Sequence, residues 1–289
     1  MTLYATLADA RGQDKATSTT DDPILLNNLR IVSRRLDRLF AARLSTDRTP
    51  HYFAPYIAEL YLPFDRTLIN SVQYTYRLPW PLLALSAVTI GTESAAVGSV
   101  VEAWPTIRAP YPYLRLMDGS TWYDFCPDDY EATLIQVTGT WGLNTNWANA
   151  WLSVDTVQDD PLSASGTSLT LSDVDQTDAY GRTPAISAGA LLRIESEYLE
   201  VTATNTSTNV ATVRRGVNGS TAAAHVQTTA VEVFQVEEDV RDIVARQAAF
   251  KYARRGAFEQ TTITDLGQIQ YPADLLQELR GVVAGYAAL

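Results

Sequence analysis

A chain of 289 residues, 46% hydrophobic and 19% charged, is long enough for about two domains and too apolar for wholesale disorder. Its net charge of -11 argues against generic DNA binding, which needs clustered positive charge to neutralise phosphates. A lone cysteine, Cys126, excludes an intrachain disulfide and a Cys/His zinc cluster.

Met1 to Ala16 carries Asp9, Arg11, Asp14 and Lys15 in place of an apolar signal core. The longest nearly apolar run, Pro81 to Ile90, is too short to span a bilayer. Both features point to a soluble protein, with no membrane contact, made in a reducing compartment. After a polar stretch, Asp21 and Asp22 offer a helix cap and Pro23 suits a first turn. Leu25, Leu29, Val32, Leu36 and Leu39 then recur at steps of four, three, four and three, which predicts an amphipathic helix to about Arg43.

From Thr49 to Gly142 the pattern is β. Tyr52 to Leu62 is rich in strand formers, Val72 to Tyr76 and Tyr113 to Met117 alternate, and Asp118-Gly119 reads as a hairpin turn before a strand near Trp122 to Phe125. Leu134 to Thr138 completes that set. A second β series follows the polar and aromatic stretch Asn144 to Val157. Its strands are Ser168 to Leu171, Leu191 to Ile194, Tyr198 to Val201, Asn209 to Val213 and Ala230 to Phe234. From Asp159 to Glu238 eleven acids face four arginines, so this module reads as an acidic, solvated island. Helical period returns at Glu237, with Val240, Ile243, Val244, Gln247, Ala248 and Lys251 on one side, and again from Asp274 to about Tyr286.

These elements predict an α+β fold. A discontinuous helical core is expected from residues 1–48 and 237–289, an antiparallel β domain from 49–158, and an inserted small β-barrel or sandwich module from 159–236. Charge is divided between them. Residues 23–48 hold six arginines against Asp37 and Asp47, and residues 241–255 hold five basic groups against Asp242. Such helices on an acidic protein suggest ion pairing between subunits, with Arg30, Arg34, Arg35, Arg38, Arg254 and Arg255 as candidate contacts. The alternative is an ordinary solvated face.

Catalytic chemistry is not evident. His51 and His225 both fall in loop-like text, and no nucleophile elbow, phosphate loop or zinc-protease motif occurs. Asp173, Asp175 and Asp178 resemble half a calcium loop but lack its glycine and closing glutamate, so an acidic turn is the favoured reading. Asp128, Asp129 and Glu131 read as a loop, and Cys126 as a small buried hydrophobe. Asn205 and Asn218 begin glycosylation-like tripeptides but read as turn residues. No enzyme and no cofactor are expected. Trp104, Trp122, Trp141, Trp147 and Trp151 suit either a sugar-stacking platform or core packing, and their half-apolar contexts favour packing.

Ordered motifs carry a resemblance. Tyr4-Ala-Thr-Leu7, Asp21-Asp22, Ser33-Arg-Arg-Leu-Asp37 and Tyr52-Phe53 resemble the start of the head-to-tail connector (adaptor) proteins of tailed bacteriophages. Trp104-Pro105, Tyr113-Leu-Arg-Leu116 and Val137-Thr-Gly-Thr-Trp-Gly142 are similar to the strand region of siphophage members. Asp239-Val-Arg-Asp242 and Tyr271-Pro272 fall where the family's final helices lie. The segments Leu191 to Val201 and Arg214 to His225 look like a β module recurring in phage structural proteins, which smaller connectors lack. The resemblance implies a virion protein of the neck, a homo-oligomeric ring of about twelve subunits docked beneath the portal protein. The next neck or tail-completion protein would follow, and DNA would pass through without specific binding. An apolar tail, with Leu279, Val282, Val283, Tyr286 and Leu289, is expected to contact the portal or an adjacent subunit. The alternative is a tail-tip, baseplate or fibre-associated β module that binds host-surface glycan.

Overall fold

The computed structural model describes residues 2–14, 19–44, 52–63, 68–70, 74–117, 134–254, 263–264, 267–268 and 281. Over these the protein is mixed α+β, with three helices and two large antiparallel sheets. The expected helix from Asp274, apart from Gly281, which is helical, the strand near Trp122 and the turn at Asp118-Gly119 lie outside the described residues.

Helix α1 (Leu7–Asp14) has no apolar stripe, and its start is fixed by a reciprocal cap. Asp9 N–H donates to Thr6 Oγ1 at 3.2 Å, while Thr6 N–H donates to Asp9 Oδ2 at 2.8 Å. Helix α2 (Asp22–Leu44) buries Leu25, Leu29, Val32 and Leu36, the stripe its spacing predicts. Each of those side chains contributes about 1.5–3 kcal/mol on burial. Helix α3 (Glu238–Ala253) presents Val240, Ile243, Val244 and Ala248 to the same core. Lys251, which the periodicity puts on the buried side, is exposed at the helix end, where a charged head remains in water.

α2 and α3 run antiparallel. Asn28 Nδ2 donates to the Ala248 carbonyl at 3.3 Å, and one end further the Tyr252 hydroxyl donates to the Asp21 carboxylate. The carboxylate expected as a simple helix cap therefore also ties the two chain ends together.

The first sheet contains β1 (Tyr56–Pro63), β2 (Ile69–Asn70), β3 (Thr75–Ile90), β4 (Glu93–Ala95), β5 (Val101–Trp104), β6 (Tyr111–Leu116) and β7 (Leu134–Trp141). Its order is β1-β7-β3-β6-β5, with β2 and β4 also paired to β3. The apolar run from Pro81 is the second half of the long central strand β3. Pro79 and Pro81 are accommodated because the pairing with β6 slips between Arg77 and Leu82.

The second sheet contains β8 (Trp151–Thr156), β9 (Ser168–Thr170), β10 (Leu191–Ile194), β11 (Glu197–Asn205), β12 (Val210–Arg214) and β13 (Ala230–Phe234). Its order is β8-β13-β10-β11-β12-β9. It is not the closed barrel that the short strands suggested. β8 and β9 share no ladder, and their edges are joined instead by separate bonds, among them Gln158 N–H to the Thr170 carbonyl at 3.0 Å and Ser172 N–H to the Asp155 carboxylate at 3.0 Å. β8 belongs to this sheet although it precedes residue 159, the expected start of the module. A hairpin from β14 (Ile263–Thr264) and β15 (Gly267–Gln268) completes the described strands.

Nor is the second sheet a solvated island. Its side chains alternate between two cores. Leu192, Ile194, Leu199, Val201 and Val231 build the interior of the module itself. Leu191, Tyr198 and Phe234 point the other way and pack with α2, α3, Leu3, Tyr4 and Phe53. The first sheet has its own interior around Tyr76, Leu82, Val137 and Trp141.

Candidate functional site

The expected contact residues on α2 lie on one helix but not in one environment. Arg30, Arg34 and Arg38 are exposed, and Arg35 is half-buried. Ile24 and Ile31 share the outer face at 41% and 44% exposure. Arg254 closes α3 with its guanidinium 4.5 Å from the Phe250 ring centre. The antiparallel pairing puts Arg254 near the Asp21 end of α2, so about 25 Å of helix separates it from Arg38 at 1.5 Å per residue. The basic groups thus form an α2 face and a separate α3 terminus. Arg255, Leu279, Val282, Val283, Tyr286 and Leu289 lie outside the described residues.

The Arg214 to His225 motif acquires a physical role that its loop-like text hid. Glu197 is fully buried, and its carboxylate accepts from Arg215 Nε and Nη2, both at 2.7 Å. Gly216 and Ala223 N–H groups add bonds at 3.0 Å each, and His225 Nε2 lies 2.8 Å away. Arg215 also donates to the carbonyls of Ser163 and Gly166, at 2.7 and 3.0 Å. The other ring nitrogen of His225 meets Glu195 Oε2 at 2.8 Å. Burial pushes the Glu197 carboxyl upward, but the bonds from Arg215, Ala223, His225 and Gly216 outweigh it and hold the group below its ordinary 4.5. His225, which its sequence context places in a loop, is buried at 2% exposure. The network staples the 215–225 loop over the sheet.

The same motif carries the joint between the two sheets. Asn218 and Gly219 both have positive φ, 52° and 79°. Asn218 receives Thr2 Oγ1 at 2.8 Å, donates to the Pro55 carbonyl at 2.9 Å, and offers its own carbonyl to Ile57 N–H at 2.9 Å.

Two clefts lie beside the helices. One, of about 300 Å³, lies between Leu3–Gly12 and the segment leading to β10, with Asp9, Asp178, Arg182 and Arg241 in its wall. The other, of about 450 Å³, is lined by Asn144, Asn146, Asn149, Tyr180 and Glu237. Neither wall contains Ser, Cys, Lys or His. Their carboxylates serve structure: Asp178 accepts from Arg182 Nε at 2.6 Å and from Tyr180 and Arg182 N–H at 2.9 Å each. Glu237 receives both the N–H and the hydroxyl of Thr145.

No family model, curated protein or solved structure matches this chain. Its chemistry must therefore be read from its own side chains. Asp173, the first member of the calcium-like triplet, accepts Asp175 N–H at 3.2 Å, as an acidic turn does. Among the described residues, no three His, Cys, Asp or Glu groups are placed to hold a metal ion. No helix among them is long and apolar enough to cross a membrane.

The tryptophans that the sequence singles out are packing groups where they are described. Trp141 is buried and lies edge-on to Trp80 at 6.3 Å. Trp151 stacks on Tyr198 at 5.3 Å, contacts Trp147 and Phe234, and carries Arg193 4.5 Å from its ring centre. Trp104 lies half-buried under Arg115 at 3.6 Å. Trp122, His51, Cys126, Asp128, Asp129 and Glu131 lie outside the described residues.

Proposed function

We propose that this chain is a non-enzymatic structural adaptor of a tailed-phage neck, assembling as a ring of about twelve copies beneath the portal. The observation that carries this reading is the two-faced α2: one face is locked into the core by α3, and the other exposes arginines around two isoleucines. Interfaces combine apolar anchors with arginine in this way.

In the same reading the helices from the two chain ends form one discontinuous core, and the second sheet, from β8 to β13, is an insertion between them. The packing of α1 and α2 on α3 supports that organisation. The net negative charge suits a conduit that must not retain DNA, since it repels phosphates. The apolar tail around Leu279, Val282, Val283, Tyr286 and Leu289 is assigned to the portal or an adjacent subunit, and the opposite end to the next neck or tail-completion protein. The half-buried state of Trp104, Trp147 and Trp151 favours this reading over a glycan-binding tail-tip module.

Immunogold labelling of negatively stained particles tests the assignment. Label at the head–tail junction, with a closed ring by native mass measurement of the purified chain, is the expected result. Label at the distal tip overturns it.

A further inference from the structure

The outer face of α2 repeats as regularly as its buried face. Ile24, Asn27, Ile31, Arg34 and Arg38 are all exposed and recur at steps of three, four, three and four. At 100° per residue they lie opposite Leu25, Leu29, Val32 and Leu36. Ile24 and Ile31, one heptad apart, keep 41% and 44% of their surface exposed, apolar area that contact with a second molecule would bury.

A surface of complementary character lies on the second sheet. Val226 is 67% exposed in the turn before β13. Thr228 N–H donates to the Val157 carbonyl at 2.8 Å, and Gln227 Nε2 to the Gln158 carbonyl at 3.2 Å, which sets the turn beside the exposed Asp160. Gln158 Nε2 reaches Ser172 Oγ at 2.8 Å, bringing the exposed Asp173 to the same rim. Residues 155–175 hold five aspartates and no lysine or arginine. One surface is thus an apolar centre with a cationic border, and the other an apolar centre with an anionic border.

We infer that the Ile24–Ile31 face of α2 in one copy seats on the Val226 turn and its Asp160–Asp173 rim in the next copy of this chain. This rests on the adaptor reading and names the two surfaces that build its ring. The surfaces differ, so the contact is head-to-tail and closes on itself when the rotation between copies divides a full turn. The anionic rim steers the arginines together, and the aliphatic side chains supply the desolvated centre.

Paired cysteines test it in the full chain, in a Cys126→Ser background. Ile31→Cys combined with Val226→Cys, treated with a short bis-maleimide, should give a ladder of covalent multimers. Either cysteine alone should give none. Arg30→Glu with Arg38→Glu should weaken association about tenfold or more in low salt. Mixing that chain with Asp160→Arg/Asp173→Arg chains should restore it. A ring of unchanged mass with neither ladder nor rescue overturns this pairing and leaves the adaptor reading standing. A chain that stays monomeric up to its solubility limit and is absent from particle necks overturns both.

Discussion

The hydroxyl of Tyr4 donates to the carboxylate of Asp37, joining the segment before α1 to the last turns of α2. Both residues are buried, and the site is shared: Tyr52 N–H donates to Asp37 at 3.3 Å, and Phe53 N–H to the Tyr4 oxygen at 3.3 Å. Three separate chain segments therefore depend on one phenol and one carboxylate.

Replacing Tyr4 with Phe removes the donor from a buried carboxylate and the acceptor from Phe53 N–H. Loss of stability of about 1–3 kcal/mol is expected, read as a lower urea midpoint with an unchanged slope. Burial, then the charge and hydrogen bond of Asp37, push the Tyr4 hydroxyl well above its ordinary 10.0. A folded-state value above the unfolded one gives stability that is complete below pH 10.0 and lost as pH rises toward the folded value. The wild-type chain should lose stability through that alkaline window, and Tyr4→Phe should remove that part of the slope. An unchanged alkaline profile in the variant would exclude this role for Tyr4.

Gly219 marks the second joint. A Cβ there would stand 1.9 Å from the Ile57 carbonyl oxygen, and its φ of 79° already disfavours a side chain. Gly219→Ala should cost on the order of 3 kcal/mol, combining backbone strain with forced separation of the two sheets. Gly181 is the control, with a nearly equal φ of 80° and open space around the added carbon. Gly181→Ala should cost only about 1 kcal/mol. Equal thermal shifts for the two variants would show that the contact with Ile57 contributes nothing.

Much of this architecture is legible in the chain because it is locally periodic. The α2 stripe and the alternation in β10 to β13 depend on residues within two turns or two strands of one another. What stayed hidden depends on distance. Helix α1 has no apolar spacing, and its only local signal is the Thr6–Asp9 box. Pro79 and Pro81 disguise β3 because a bulge in its partner pairing is what tolerates them. The burial of His225 is supplied by Glu195 and Glu197, 30 and 28 residues earlier. Asn218-Gly219 reads as a turn and is one, yet nothing near it announces Ile57 or Thr2.

The Glu197 network should govern the acid stability of the second sheet. Glu197→Gln leaves Arg215, with 6% of its side chain exposed, facing a neutral amide. Breaking a buried pair from one side should cost about 3–5 kcal/mol. The depressed carboxyl also fixes a sign. Its folded value lies below the unfolded 4.5, so its stabilisation is full above pH 4.5 and is lost as pH falls through the folded value. The wild-type chain should lose stability below pH 4.5, and Glu197→Gln should show a shallower acid slope. Identical slopes, read from urea midpoints across that window, would remove Glu197 from the account.

Leu29 and Ile31 separate folding from assembly, because they are two residues apart on opposite faces of α2. Leu29 is fully buried, whereas Ile31 keeps 44% of its surface exposed. Leu29→Ala opens a cavity between α2 and α3 and should cost about 2–5 kcal/mol. Ile31→Ala gives up only a partly wetted side chain and should change monomer stability by no more than about 0.5 kcal/mol. If the outer face is a subunit contact, the order reverses in the assembled state. Ile31→Ala should then weaken association by sedimentation while its unfolding midpoint stays near wild type. Leu29→Ala, studied under conditions where it remains folded, should assemble normally. An Ile31→Ala chain that assembles as well as the wild type would return that isoleucine to the ordinary exposed surface.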